Sequence, residues 1–167
     1  SVLVAAARFR GSPPDELRSN AGRAAALFEQ PTREPDAGLL AIDLAADLLL
    51  SALRRVDPRI GVACTRSPGQ VPARVVETVA AAAAEALRNS VRHAAGAHRE
   101  AAATISAERI TVLLQDRGPG FDLDRVDGRH LGIHNSIIGR MRALPGGDAT
   151  VESTPGAGTK VLVSWRT

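Results

Sequence analysis

Glu85-Ala86-Leu87-Arg88-Asn89-Ser90-Val91-Arg92-His93-Ala94 lies inside a longer Ala- and Val-rich stretch, Val71–Ala95, whose apolar spacing predicts one long helix. Glu85, Asn89 and His93 recur four residues apart, so a carboxylate, a carboxamide and an imidazole line one edge of an apolar rod. A carboxamide oxygen is a hard ligand suited to a magnesium ion that keeps most of its waters. A carboxylate one turn away can hold one of those waters or orient a nucleophile. Taken alone, the same spacing fits a helix whose polar edge faces water, so the weight falls on what surrounds it.

Downstream, Glu100–Ser106 and Arg109–Gln115 are strand-like runs separated by a tight Ala107-Glu108 connection, which predicts an antiparallel hairpin. The second strand delivers Asp116 into Asp116-Arg117-Gly118-Pro119-Gly120-Phe121, a D-x-G-x-G loop whose glycines permit close approach of backbone to a ligand. A short polar loop, Asp122–His130, leads to a helix over Ile133–Leu144 that stops at Pro145-Gly146-Gly147. A last hairpin, Ala149–Ser153 and Lys160–Ser164, encloses Thr154-Pro155-Gly156-Ala157-Gly158-Thr159.

Upstream, Ile60–Thr65 reads as a strand, and Leu39–Val56 as a helix terminated by Pro58. Gln30–Gly38 reads as a linker. Before it, Ser1–Arg10 and Asp15–Glu29 read as two helices joined by Gly11-Ser12-Pro13-Pro14, with Ser12 as N-cap and Pro13 in the first helical position. The expected division is residues 1–38, a helical hairpin and linker, and residues 39–167, a compact domain.

Composition narrows the function classes. At 167 residues the chain is about one domain, and it does not begin with Met, so it is expected to be a piece of a longer protein. The formal charge of +3 comes from scattered arginines, with Lys160 the only lysine, and the aromatics are only Phe9, Phe28, Phe121 and Trp165. Base-stacking nucleic-acid readers need more than that, so no nucleic-acid partner is expected. Cys64 is the single cysteine and points to no oxidising compartment. The most apolar stretch, Leu39 to Leu53, is broken by Asp43 and Asp47, so a soluble, cytoplasmic domain is expected even if the parent protein is membrane-anchored.

Several nucleotide and metal motifs are missing. Gly158-Thr159-Lys160 lacks the upstream glycine of a P-loop, and no strand leads into G-x-G-x-x-G. Asp122, Asp124 and Asp127-Gly128 loosely suggest a calcium loop, but Val126 and Ile133 fall where ligands are required. His130 and His134 have no catalytic Glu between them and no third ligand for zinc.

What remains is an ordered set: E-x-x-x-N on a helix, D-x-G-x-G after a strand, Leu131-Gly132 opening a helix, and G-x-G-T in a late hairpin. Over roughly Ile60 to Trp165 this resembles the ATP-binding domain shared by DNA gyrase, a heat-shock chaperone family, mismatch-repair proteins and histidine kinases. Residues 85–94, with Met141-Arg142-Ala143-Leu144-Pro145-Gly146-Gly147 and Val151–Thr159, are similar to the short-lidded catalytic domain of nitrate-sensor and desaturase-sensor histidine kinases. The fold expected is an α/β two-layer sandwich, a mixed, mostly antiparallel sheet with helices on one face, preceded by a short helical hairpin.

The resemblance implies ATP and Mg2+ as cofactors. Asn89 would coordinate magnesium on the phosphates, and Glu85 would orient the metal water or the attacking group. Asp116 would read adenine, Gly118 and Gly120 would let the chain pass beside the base, and Thr159 would support Asp116 through a shared water. Gly132 would bring a helix N-terminus toward the phosphates, with Arg129 and His130 adding charge. His93 either faces the nucleotide or simply ends its helix. Phe121 fits core or lid packing better than adenine stacking, and Thr159 could be an ordinary strand residue.

A histidine kinase needs a phosphoacceptor histidine on a dimerising hairpin, yet no histidine precedes His93. The expectation is a chain that begins just downstream of that acceptor, binds ATP without phosphorylating itself, and in the whole protein forms a homodimer through the hairpin and serves a response regulator. The rivals are an anti-sigma-type serine kinase and a nucleotide-sensing or pseudokinase interaction module.

Overall fold

The computed structural model describes residues 38–122 and 136–167. In chain order these form β1 (Leu39–Ala41), α1 (Ile42–Val56), β2 (Gly61–Arg66), β3 (Gln70–Pro72), α2 (Ala73–His93), β4 (Arg99–Ile105) and β5 (Arg109–Asp116). A helical segment α3 (136–142) follows, then β6 (Gly147–Thr154) and β7 (Gly158–Arg166). The expected hairpin over Ser1–Arg10 and Asp15–Glu29, most of the Asp122–His130 loop and the start of the Ile133–Leu144 helix lie outside the described residues.

Five strands form one sheet in the order β2-β4-β5-β7-β6. β2 runs parallel to β4 and the other neighbours are antiparallel, so the sheet is mixed and mostly antiparallel, as expected. The β4–β5 hairpin has the expected connection, closing with Ile105 opposite Ile110. The last hairpin is longer than its apolar pattern suggested, because Gly147-Asp148 and Trp165 extend the ladder at one end and Thr154 and Gly158-Thr159 at the other.

α1 and α2 pack on each other and on the sheet. α1 buries Ile42, Ala45, Ala46, Leu49 and Leu53, the i, i+3, i+4, i+7 stripe of an amphipathic helix. α2 buries Val75, Val76, Val79, Ala83, Ala86 and Leu87 along its own stripe. The inner phases of β4, β5 and β7 meet them with Ala101, Ala103 and Ile105, with Ile110, Val112 and Leu114, and with Val161, Val163 and Trp165. The opposite phase faces outward and leaves Leu113 and Leu162 exposed.

Two short segments differ from the sequence reading. Leu39–Ala41 and Val71-Pro72, read as the openings of two helices, lie instead in the paired antiparallel strands β1 and β3. The reason is capping. Neither helix starts on a side-chain cap, since Ala41 and Pro72 precede them. Instead the Ile42 N–H donates to the Gly69 carbonyl at 3.1 Å and the Ala73 N–H donates to the Gly38 carbonyl at 2.9 Å. Each helix thus has an orphan N–H served by the chain that leads into the other.

Leu53 is fully buried and Leu113 is 38% exposed. Urea unfolding is expected to show Leu53→Ala losing about 2–5 kcal/mol, the usual cost of a truncated core leucine. Leu113→Ala is expected to lose under about 1 kcal/mol, as for a surface position.

Candidate functional site

Strand alternation builds one wall of the site. Because side chains alternate with period two, the phase that buries Ile110, Val112 and Leu114 turns Asp116 inward as well. The phase that buries Ala101 and Ala103 does the same for Arg99, and that of Val161 and Val163 for Thr159. The register aligns these ends: Arg99 lies opposite Asp116, Asp116 opposite Thr159, and Thr159 opposite Ser153. An apolar inner face therefore finishes in a polar rung, Arg99–Asp116–Thr159–Ser153, crossing four strands.

The other wall is the last turns of α2, where the buried stripe of Ala83, Ala86 and Leu87 runs on to Asn89, Ser90 and His93. A cavity opens between these walls. Ala86, Leu87, Asn89, Ser90, His93 and Ala94 line it from the helix side, and Arg99, Leu114, Asp116, Thr159 and Val161 from the sheet. Pro119, Gly120, Phe121 and Ile137 lie at its margins. Five positions expected at the site, Asn89, His93, Asp116, Gly120 and Thr159, thus share one cavity. Phe121 lines it too, half-buried, rather than belonging to the core.

Asp116 is 5% exposed, the only charged side chain buried among the described residues. One carboxylate oxygen, Oδ1, accepts from the Gly118 N–H at 2.9 Å. A buried carboxylate is costly without donors, so this cavity favours a ligand that presents N–H groups. Asn89 carries a second unmet polar atom, because its Nδ2 is buried with no hydrogen-bond partner. Which end of the amide is nitrogen is an assignment. Either way, one amide terminus is enclosed with no hydrogen-bond partner in the protein.

Ser153 organises the far end of the rung. Its Oγ accepts from the Phe121 N–H at 2.9 Å, donates to the Gly158 carbonyl at 3.1 Å, and lies 3.0 Å from Thr159 Oγ1. A hydroxyl has one hydrogen, so with that of Ser153 given to Gly158, Thr159 donates to Ser153 and shows only acceptor lone pairs elsewhere. Asp116 and Thr159 together make an acceptor-lined patch.

The loop glycines are needed for packing within the protein, and of the two only Gly120 lines the cavity. A Cβ on Gly118 would collide with the Ala94 side chain and lie 2.9 Å from Asp116 Oδ1. Gly120 has φ +59, and a Cβ there would run into the Thr154 carbonyl.

Glu85 stands apart. Its carboxylate takes two hydrogen bonds from Arg88, at 3.0 and 2.7 Å, and it does not line the cavity. Helical spacing aligned Glu85 with Asn89, but Arg88 one turn on draws the carboxylate aside. Gly132, Arg129 and His130 lie outside the described residues. Arg99, Ser90 and Ser153 were missed from the sequence; counting register outward from the Ala107-Glu108 turn would have placed Arg99 opposite Asp116.

As for magnesium, no group of three or more His, Cys, Asp or Glu side chains that could hold a metal is found among the described residues. This donor set suits an ion held by one carboxamide oxygen, by waters and by a ligand's phosphates, the habit of Mg2+. Asn89 lines the cavity, and its carboxamide oxygen is the kind of hard donor such a role needs.

No curated protein matches the chain. Among solved structures it resembles the mycobacterial sensor histidine kinase MprB at TM-score 0.51 and 18% identity, over 78% of this chain and 97% of that one. It also resembles the Erythrobacter litoralis EL346 blue-light activated histidine kinase at TM-score 0.53 and 18% identity, covering 91% of this chain but only 54% of that one. The histidine kinase domain of the same protein aligns at TM-score 0.51 and 20% identity, over 91% and 82% of the two chains. At such identities these likenesses establish the fold alone. The sequence goes further: the family model of the histidine kinase-like ATPase domain matches residues 49–139, more than half of the chain, and the protein belongs to that family.

Proposed function

We propose that this chain is the catalytic ATP-binding domain of a two-component sensor histidine kinase, positioning Mg-ATP so that its γ-phosphate passes to a histidine outside this chain. Membership in an ATPase-domain family carries ATP binding. The observation that supports the finer reading is the cavity with a buried Asp116 carboxylate on one wall and an unsatisfied Asn89 amide on the other.

Asp116 and Thr159 accept hydrogen bonds, so they suit the exocyclic amine of adenine and oppose a base that presents a carbonyl there. Gly118 and Gly120 keep the loop close enough to lie along the base. Asn89 would hold, through its carboxamide oxygen, the magnesium that accompanies the phosphates, and that ion would supply neutralisation of phosphate charge. His93, one turn beyond Asn89, lines the same cavity, and Gly132, Arg129 and His130 belong to the phosphate side in this reading.

Phosphoryl transfer is chiefly positioning and charge stabilisation. The bond from γ-phosphorus to the ADP oxygen breaks while one to an imidazole nitrogen forms. Glu85 orients the attacking group. To do so it must leave Arg88, with which it makes a partly exposed i, i+3 pair. Such pairs are worth about 0–1 kcal/mol, a small barrier to exchange.

In the whole protein the reading includes a homodimer formed through an upstream helical hairpin, a response regulator as phosphate recipient, and a relationship of the nitrate-sensor and desaturase-sensor type. A cytoplasmic place for the domain belongs to it as well. No described helix is long and apolar enough to cross a membrane.

Calorimetry with Mg-ATP is expected to show binding by this chain, weakened about ten-fold or more by Asn89→Ala and by Asp116→Asn, the scale of a lost charged or buried hydrogen bond. Binding indifferent to both changes would sink the site. Gly118→Ala is expected to weaken ATP comparably while the protein stays folded by circular dichroism. A longer chain carrying the upstream hairpin, incubated with γ-labelled ATP, is expected to gain acid-labile, alkali-stable label on histidine. Label on a partner's serine would instead favour the anti-sigma-type kinase.

A further inference from the structure

We propose that Arg99 is the positioning residue of the nucleotide site, fixing the last turn of α2, and with it Asn89, at a set distance from Asp116. This rests on the reading of the cavity as an Mg-ATP site. Arg99 begins β4 directly opposite Asp116, and its side chain crosses to the other wall. Nε donates to Ser90 Oγ at 3.0 Å, and Nη2 donates to the carbonyls of Ser90, at 3.3 Å, and Ala94. Nη1 lies 3.7 Å from Asp57 Oδ2, just beyond the end of α1, in a pair whose side chains are only 12% and 19% exposed.

These bonds decide between two roles. An arginine lining a nucleotide cavity invites assignment as a phosphate ligand. Here all three guanidinium nitrogens face protein acceptors, so the group is committed to the protein. Its main-chain acceptors lie at the C-terminal end of α2, where the helix dipole favours a cation; the Ser90 carbonyl also accepts from the Ala94 N–H and the Ala94 carbonyl from the Ala97 N–H. The turn so held contains Ser90 and adjoins Asn89, whose amide the protein leaves unsatisfied. One residue thus joins the adenine wall, through its backbone register, to the metal-bearing wall, through its side chain. Asp57 orients it from outside the cavity.

The test is ATP calorimetry with and without Mg2+ on the chain and on Arg99→Ala, Asn89→Ala, the double variant and Asp57→Asn. Asn at position 57 can still accept from the Arg59 N–H as Asp57 Oδ1 does at 3.0 Å, so this change removes the charge and little else. Arg99→Ala is expected to weaken Mg-ATP about ten-fold, the scale of lost charged hydrogen bonds, and metal-free ATP far less. The double variant is expected to be no weaker than Asn89→Ala within about two-fold, because residues acting through one another do not add. Asp57→Asn is expected to reproduce part of the Mg2+-dependent loss, and in nucleotide-free protein to speed hydrogen exchange at the Ala94 amide, now bonded to Ser90 at 2.8 Å. Multiplying losses, or an Arg99 loss equal with and without Mg2+, would overturn the proposal while leaving the site standing. Asn89→Ala without effect would remove the site reading and the proposal together. Should Arg99→Ala not fold, Asp57→Asn carries the test: unchanged Mg-ATP affinity and unchanged Ala94 exchange overturn it.

Discussion

Strand register is the constraint on which this molecule depends. Side chains on the inner face of the sheet alternate in phase across β4, β5, β7 and β6, so the rows that bury Ile110, Val112 and Leu114 also determine what faces inward one step further on. That step is the polar rung of Arg99, Asp116, Thr159 and Ser153. A slip of one residue would expose the core and turn Asp116 to solvent together. Folding and site assembly are therefore one event, and the hydrophobic effect that selects the register also holds a carboxylate in an apolar enclosure where it would not otherwise settle.

Two ion pairs show how environment rather than distance decides importance. Glu85 and Arg88 meet at 2.7 Å, with side chains 32% and 52% exposed, and water competes for both. Asp57 and Arg99 are farther apart, at 3.7 Å, yet largely enclosed. Removing one partner of such a pair strands the other in low dielectric, which is the more expensive loss. The shorter contact is an adjustable surface feature and the longer one part of the frame.

Much of this was legible in the sequence because the chemistry is concentrated in short, ordered boxes. Asn89 and His93 follow from helical spacing, Asp116, Gly118 and Gly120 from a strand running into D-x-G-x-G, and Thr159 from a glycine-bounded hairpin. The mixed sheet and its two hairpins follow from apolar runs and turns. The less legible parts are those fixed by partners remote in sequence. Leu39-Leu40 suits a helix as well as a strand until Val71 arrives beside it. Arg99 and Ser153 look like ordinary strand residues until their cross-strand neighbours are known. The direction taken by Glu85 depended on Arg88, a competitor one turn away that periodicity does not weigh.

The exchange of carbonyls at the starts of α1 and α2 has a thermodynamic consequence. Because Gly69 serves Ile42 and Gly38 serves Ala73, neither helix can fray from its first turn without exposing a buried donor on the other. Separate fraying of these two ends is therefore penalised, and the ribbon Leu39–Ala41 with Gln70–Pro72 behaves as a clasp. Two helices so joined open as one cooperative unit rather than as two. A partner that pulled on either strand of the ribbon would act on both helices at once, and through α2 on the turn that carries Asn89.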